Sequence, residues 1–232
     1  MKHSVSSAKI LQIKELLRDR FPEAHARQSG LGEDAPLSGI GIGVGIGILD
    51  RLGVAGGSMA EAVSEVPGRG ACLLLGEVIR EAGAQRRPVV LIDACDTFDP
   101  QSLPGSGCRS LLWIRCQSAQ NAVKAADLLL RDGNLTLILM DLEHCPSQDL
   151  RRIPASSWHR LRMLTEKAGS LCLAFTPAKI IPRAATRILF DHPYLSGTLE
   201  TPRDILRGML EFRMAGKSSE EETPALSSIA HS

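Results

Sequence analysis

Aromatic side chains are scarce: five Phe, two Trp and one Tyr in 232 residues. A core must therefore come from Leu, Ile, Val and Ala. Neither sign of charge is in excess. The 27 Lys and Arg stand against 26 Asp and Glu, a formal net charge of +1, which excludes a uniformly basic coat for nucleic acid but not a local patch. No apolar run approaches the roughly 18 residues of a membrane span, the longest being about Leu135–Met140. The opening Met1-Lys2-His3-Ser4 lacks the basic-then-apolar layout of a secretion signal. No Cys-x-x-Cys occurs among the six cysteines, at 72, 95, 108, 116, 145 and 172. They are expected to be reduced, mostly buried thiols in a cytoplasmic protein. Membrane-embedded, collagen-like, wholly disordered and disulfide-scaffold classes are thereby excluded. What is left is a globular chain, 44% hydrophobic and 23% charged, long enough to bury a core without disulfide or metal.

Residues 1–21 carry Ile10, Ile13, Leu16 and Leu17 at helical spacing among charged neighbours, which predicts an amphipathic helix. It would pack on its own domain or dock on a neighbouring subunit through Ile10, Ile13 and Leu17. Residues 22–38, rich in Gly, Pro and polar side chains, read as a linker. The alternating run Gly39–Gly47 would put its apolar residues on one face if extended, as a packed strand or a flexible approach. It is not a dinucleotide loop, because no start within it gives Gly at the sixth position.

From residue 62 the punctuation is regular. Expected elements are strand Ala62–Val66, a loop with Gly68 and Gly70, helix Ala71–Ala82, strand Val89–Asp93, strand Leu111–Cys116, helix Ala119–Arg131 and strand Leu135–Asp141. A helix over about 156–168 and strands Leu171–Thr176 and Thr186–Phe190 follow. Continuous apolar runs alternating with helices of about a dozen residues predict an α/β domain over 39–200, with a mostly parallel sheet flanked by helices. Thr201-Pro202-Arg203-Asp204 reads as the start of a C-terminal helix over 201–214 with Ile205, Leu206, Met209 and Leu210 as its apolar set. Residues 215–232, rich in Ser, Glu, Pro and Ala, read as a disordered tail.

Several segments together resemble the RecA-type recombinases. In order and spacing they are Gly56-Gly57, Ala62–Val66, the glycine loop, Val89–Asp93 with Phe98-Asp99-Pro100, Leu111–Arg115, the helix Ala119–Arg131 and Leu135–Asp141. The stretch Ser64–Leu75 and the Leu-Leu-Trp-Ile-Arg segment with its following helix are most similar to the ImuA family, RecA-like accessory proteins of bacterial damage-inducible mutagenesis. The resemblance spans roughly residues 38–190. It implies a RecA-like core with helical extensions at both ends. It also implies a role in the SOS response and translesion DNA synthesis, with an ImuB-like Y-family polymerase component, RecA and single-stranded DNA as partners.

The departures from the recombinases concern chemistry. A phosphate loop needs four residues between two glycines and then Lys and Ser or Thr, so that backbone N–H groups surround the phosphates while Lys and the hydroxyl serve the γ-phosphate and Mg²⁺. Here Arg69 alone separates Gly68 from Gly70, and the Lys and hydroxyl positions are Ala71 and Cys72. The position of the recombinases' water-activating Glu is Cys95, a poor substitute for a carboxylate. Asp141 remains where a Walker-B Asp would hold Mg²⁺, or it caps the following turn. Gly68, Arg69, Gly70 and Asp141 thus read as a vestigial nucleotide site, with no cofactor, no metal and no ATPase activity. Cys95-Asp96 and His144-Cys145 lack the signatures of cysteine enzymes.

The strongest positive signal is a basic segment. Between Arg151 and Arg187 eight Lys and Arg face one acid, Glu166, a formal charge of +7. Arg151, Arg152, Trp158, Arg160, Arg162, Lys179, Arg183 and Arg187 are the candidate residues for nucleic acid or an acidic protein partner. A solvated helix face is the remaining reading. The expectation is a non-catalytic RecA-like accessory protein. Its alternatives are a nucleotide switch or ATPase with an aberrant loop, and an SOS-type regulator acting only through proteins, in the manner of a cell-division inhibitor.

Overall fold

The computed structural model describes Glu15, Asp19, residues 44–103 and 108–192, Tyr194 and residues 196–216. The expected helix over 1–21 with Ile10, Ile13 and Leu17, the linker 22–38, residues 39–43 and the tail beyond 216 fall outside the described residues, Glu15 and Asp19 excepted; these two are helical.

Apolar runs make six parallel strands: β1 (Ser58–Val63), β2 (Val89–Asp93), β3 (Leu111–Arg115), β4 (Leu137–Asp141), β5 (Leu171–Thr176) and β6 (Thr186–Leu189). With β7 (Arg213–Gly216), antiparallel to β6, they form one sheet in the order β3-β2-β4-β5-β1-β6-β7. The helices are α1 (Gly47–Arg51), α2 (Ala71–Ala84), α3 (Ala119–Asp132), α4 (Ser147–Arg151), α5 (Ala155–Ala168) and α6 (Arg203–Gly208). The architecture is α/β, a mostly parallel sheet flanked by helices, consistent with a RecA-like core.

Strands β2, β4 and β5 are apolar up to their last residue because alternate residues feed opposite faces. Val89, Leu91, Leu137, Leu139, Leu171 and Leu173 join α1 and α2 in one core. Val90, Ile92, Ile138, Met140, Cys172 and Ala174 join α3 and α5 in the other. Ser118 caps α3, its hydroxyl accepting from the Asn121 N–H at 3.3 Å, and Gly133 closes that helix at φ 72°. The last apolar residues of the glycine run, Val44 and Ile46, are buried in the first core, and the chain turns helical at Gly47. Among the described residues no helix is long and apolar enough to cross a membrane.

Most expected elements differ from the observed ones by one or two residues at an end; two need larger correction. The first strand lies at Ser58–Val63, not Ala62–Val66, because its pairing with β5 starts at Ser58 opposite Leu171. The expected C-terminal helix over 201–214 is short: Pro202 is the N-cap rather than the first helical residue, no side chain caps it, and α6 ends at Gly208. The chain then buries Leu210 and returns along the sheet edge as β7, held there by Arg213 on Asp191. Ala215 and Gly216, expected in the tail, belong to that strand.

One acid lies in the interior of the sheet. Glu61, in β1, is fully buried. Its Oε1 accepts from the Thr176 hydroxyl at 3.2 Å and from the N–H groups of Ile180 and Ile181 at 2.7 and 2.9 Å. Its Oε2 accepts from Arg187 Nε at 2.7 Å. Glu61 and Arg187 are direct register partners on β1 and β6, and Arg187 also donates to the Ile181 carbonyl. Removing one member of a buried ion pair strands the other without its counter-charge. Arg187→Ala is therefore expected to lower the unfolding free energy in urea by about 3 kcal/mol, while Arg183→Ala, at an exposed position, costs less than about 0.5 kcal/mol. Equal effects of the two would contradict a structural role for Arg187.

Candidate functional site at the carboxyl edge of the sheet

In open α/β sheets ligands approach the carboxyl ends of the strands. Four segments gather there: the turn from β1 into α2, the turn after β2, the turn after β4, and the connection from β5 to β6.

The first holds Gly68, Arg69 and Gly70, expected from the sequence as a vestigial nucleotide site. Gly68 and Gly70 both take left-handed conformations, at φ 82° and 107°, and Gly70 is the N-cap of α2. The space above that N-cap is filled by the chain itself. A Cβ on Gly70 would lie 2.6 Å from Leu210 Cδ1, 3.3 Å from Tyr194 Cε2 and 3.5 Å from Phe190 Cδ1. These apolar atoms pack against the Cα of the N-cap residue. Arg69 is half-buried, and its Nε has no hydrogen-bond partner among the described residues. Ala71 is buried and Cys72 is exposed at the start of α2.

The turn after β2 is organised by Asp93. Its buried carboxylate accepts from the N–H groups of Cys95, Thr97 and Phe98 at 3.0–3.2 Å and from Trp113 Nε1 at 3.2 Å. Asp96, at φ 58°, pairs with Arg115 at 2.5 Å, and Arg115 lies over the Trp113 ring. Cys95, at the expected catalytic-Glu position, turns its sulfur to within 3.3 Å of Cys145. Asp141 ends β4 opposite Asp93, and its Oδ1 accepts from the Glu143 N–H at 3.2 Å. Asp141 thus does cap the turn that follows it.

No family model matches the chain, and no curated protein matches it.

The basic segment divides sharply. Trp158 is buried in the core between α5 and the sheet and offers no ring for stacking. Arg187 belongs to the Glu61 pair. Arg160 reaches Asp127 on α3 at 2.5 Å, Arg152 pairs with Asp149 at 3.2 Å, and Arg162 donates to His159 Nδ1 at 2.9 Å. Arg151, Lys179 and Arg183 are exposed and make no ion pair among the described residues. The first ends α4 after β4, and the other two lie on the β5–β6 connection. One apolar cluster holds Leu142, Leu150 and Ile153 from the first segment with Ile180, Ile181 and Ala184 from the second, so the three cations ride on loops sharing a single support. Glu61 and Asp93, which fix two of these turns, were not among the expected site residues; an acid inside or closing an apolar strand is the signal that marks them.

Burial raises the Asp141 carboxyl above its ordinary range, the Asp93 carboxylate raises it further, and the Glu143 N–H and His144 offset part of this. Glu143 is raised by burial and then by Asp141. A carboxyl raised in the fold favours its neutral form, so its stabilising contribution is present at acid pH and lost as pH rises through the raised value. Asp141→Asn, neutral at every pH and still able to accept from Glu143, should raise the thermal midpoint by a few degrees at neutral pH in metal-free buffer. The gain should vanish near pH 3 or so, where the native carboxyl is already protonated. An unchanged or lower midpoint at neutral pH would contradict this account.

Proposed function

We propose that this chain is a non-catalytic RecA-like accessory protein, similar to the ImuA family, that binds and positions partners in damage-inducible translesion synthesis. The partners are an ImuB-like polymerase component, RecA and single-stranded DNA. The observation that carries the non-catalytic reading is the packing of Leu210 on Gly70. Wrapping phosphates in the turn from β1 to α2 would require backbone N–H groups facing solvent, plus a cation and a hydroxyl. The turn instead faces methyl and ring carbons, and Ala71 and Cys72 supply neither group. Binding is supported by the cations left over once the ion pairs are made. Arg151, Lys179 and Arg183 project from the strand-end loops, where phosphates could approach without disturbing the core. Such contact is electrostatic, salt-dependent and weakly selective for sequence.

The test is binding of a labelled single-stranded oligonucleotide across a salt series, with calorimetry of ATP and Mg²⁺ alongside. Native protein is expected to bind at low salt. Joint replacement of Arg151, Lys179 and Arg183 by Ala should weaken binding at least tenfold and flatten the log–log salt slope by about 2, from about 0.7 per lost phosphate contact. Arg160→Ala should behave as native. No affinity at low salt would assign the patch to an acidic protein partner, and micromolar ATP binding would overturn the non-catalytic reading.

A further inference from the structure

The sulfurs of Cys95 and Cys145 stand 3.3 Å apart although the residues are 50 positions apart in sequence. The sheet creates this meeting. β2 and β4 are hydrogen-bonded neighbours with Asp93 opposite Asp141, and the two cysteines lie on the turns that leave those two ends. Both turns are fixed: the Cys95 N–H donates to Asp93 Oδ1 at 3.2 Å and the Cys145 N–H to the Leu142 carbonyl at 3.0 Å. Cys95 is half-exposed and lines an open cavity of about 640 Å³ with Asp96, Arg115, Cys116 and Gln117, whereas Cys145 is buried beneath it.

The other thiols lack this arrangement. Cys72 is exposed with no sulfur beside it, Cys172 is buried against Met140 Sδ, and Cys116 lines the same cavity without a sulfur contact.

We propose that Cys95 and Cys145 are a redox modification site, a dithiol that peroxide converts into a reversible intramolecular disulfide. Cys95, reachable from the cavity, attacks one peroxide oxygen as the thiolate. The O–O bond breaks, hydroxide leaves, and Cys95 becomes a sulfenic acid. The Cys145 sulfur then attacks the Cys95 sulfur. The S–S bond forms, the S–O bond breaks, and the departing hydroxide takes the Cys145 proton as water. In sum, two thiols and one hydrogen peroxide give one disulfide and two waters. Burial, the Cys95 contact and the Asp141 and Asp149 carboxylates raise the Cys145 thiol, and its burial leaves Cys95 as the sulfur that peroxide reaches first. The sulfurs need close by only about 1.2 Å to reach the disulfide length of about 2.05 Å, a motion within the reach of side-chain rotation. Excess small-molecule dithiol reverses the reaction by exchange.

The experiment uses the full chain, reduced, desalted, exposed to a few equivalents of hydrogen peroxide, then alkylated and mapped by mass spectrometry. A peptide linking Cys95 to Cys145, lost on dithiothreitol treatment, is expected while Cys72 is still alkylated. In Cys145→Ser the sulfenic acid persists, so dimedone labels Cys95 several-fold more than in the native chain. The proposal is overturned if Cys95 links to Cys116 or to another molecule, or if both thiols stay free while Cys72 oxidises. It is equally overturned if the pair goes to sulfinic acid without linking, or if dimedone labels native and variant alike.

Discussion

A buried carboxylate inside a parallel sheet is tolerated only when every lone pair finds a donor and the charge finds a partner. Glu61 satisfies both conditions by drawing on four separate places: the Thr176 hydroxyl at the end of β5, two backbone N–H groups of the following turn, and the Arg187 guanidinium on β6. Much of the carboxyl edge depends on this arrangement. The turn over residues 177–183 has no helix or strand of its own, yet it is anchored at Ile180 and Ile181, so Lys179 and Arg183 on either side of the anchor are held in place. The same interaction withdraws Arg187 from solvent. One acid thus takes Arg187 out of the surface set and anchors the turn that carries Lys179 and Arg183.

The turn into α2 follows a different logic. A helix N-terminus presents N–H groups that want an anion or a capping side chain. Here Gly70 is a left-handed N-cap without a side-chain acceptor, and the apolar cover comes from the far end of the chain. That cover exists because α6 stops at Gly208 and β7 pairs with β6: the reversal between them brings Leu210 down onto Gly70, with Phe190 and Tyr194 beside it. Leu210 thus closes with carbon the turn that leads into Ala71 and Cys72. A turn lined by apolar side chains gains from burying carbon.

The strands Val89–Asp93 and Leu171–Thr176 were legible to the residue, because a continuous apolar run closed by a polar residue before a turn has few other readings. β1 was misplaced because Glu61 interrupts its apolar pattern, and the compensating donors come from residues more than 110 positions away. The C-terminal segment was misread for a related reason. Ile205, Leu206, Met209 and Leu210 have helical spacing, but only Leu210 is buried while Ile205 and Met209 stay exposed, and a four-residue edge strand such as β7 exists only by pairing with β6. Counting charge within 151–187 overstated the patch, since Asp127, Asp149 and Glu61, which neutralise Arg160, Arg152 and Arg187, all lie outside that window. Trp158 followed the polar character of its neighbours in the sequence reading, but its place on α5 beside Leu161 faces the core.

The carboxyl edge is organised by acids that shape its turns. Asp93 holds the turn after β2 by accepting from three backbone N–H groups and Trp113. Asp141 caps its own turn. Both carboxylates shape turns. The turns after β2 and β4 bring the half-exposed Cys95 against the buried Cys145, and the connections after β4 and β5 carry the exposed Arg151, Lys179 and Arg183. Two thiols brought within contact by neighbouring strands, and exposed cations without an ion pair among the described residues on the connections after β4 and β5, are consequences of strand order rather than of any single motif. That is why neither could be read from spacing along the chain.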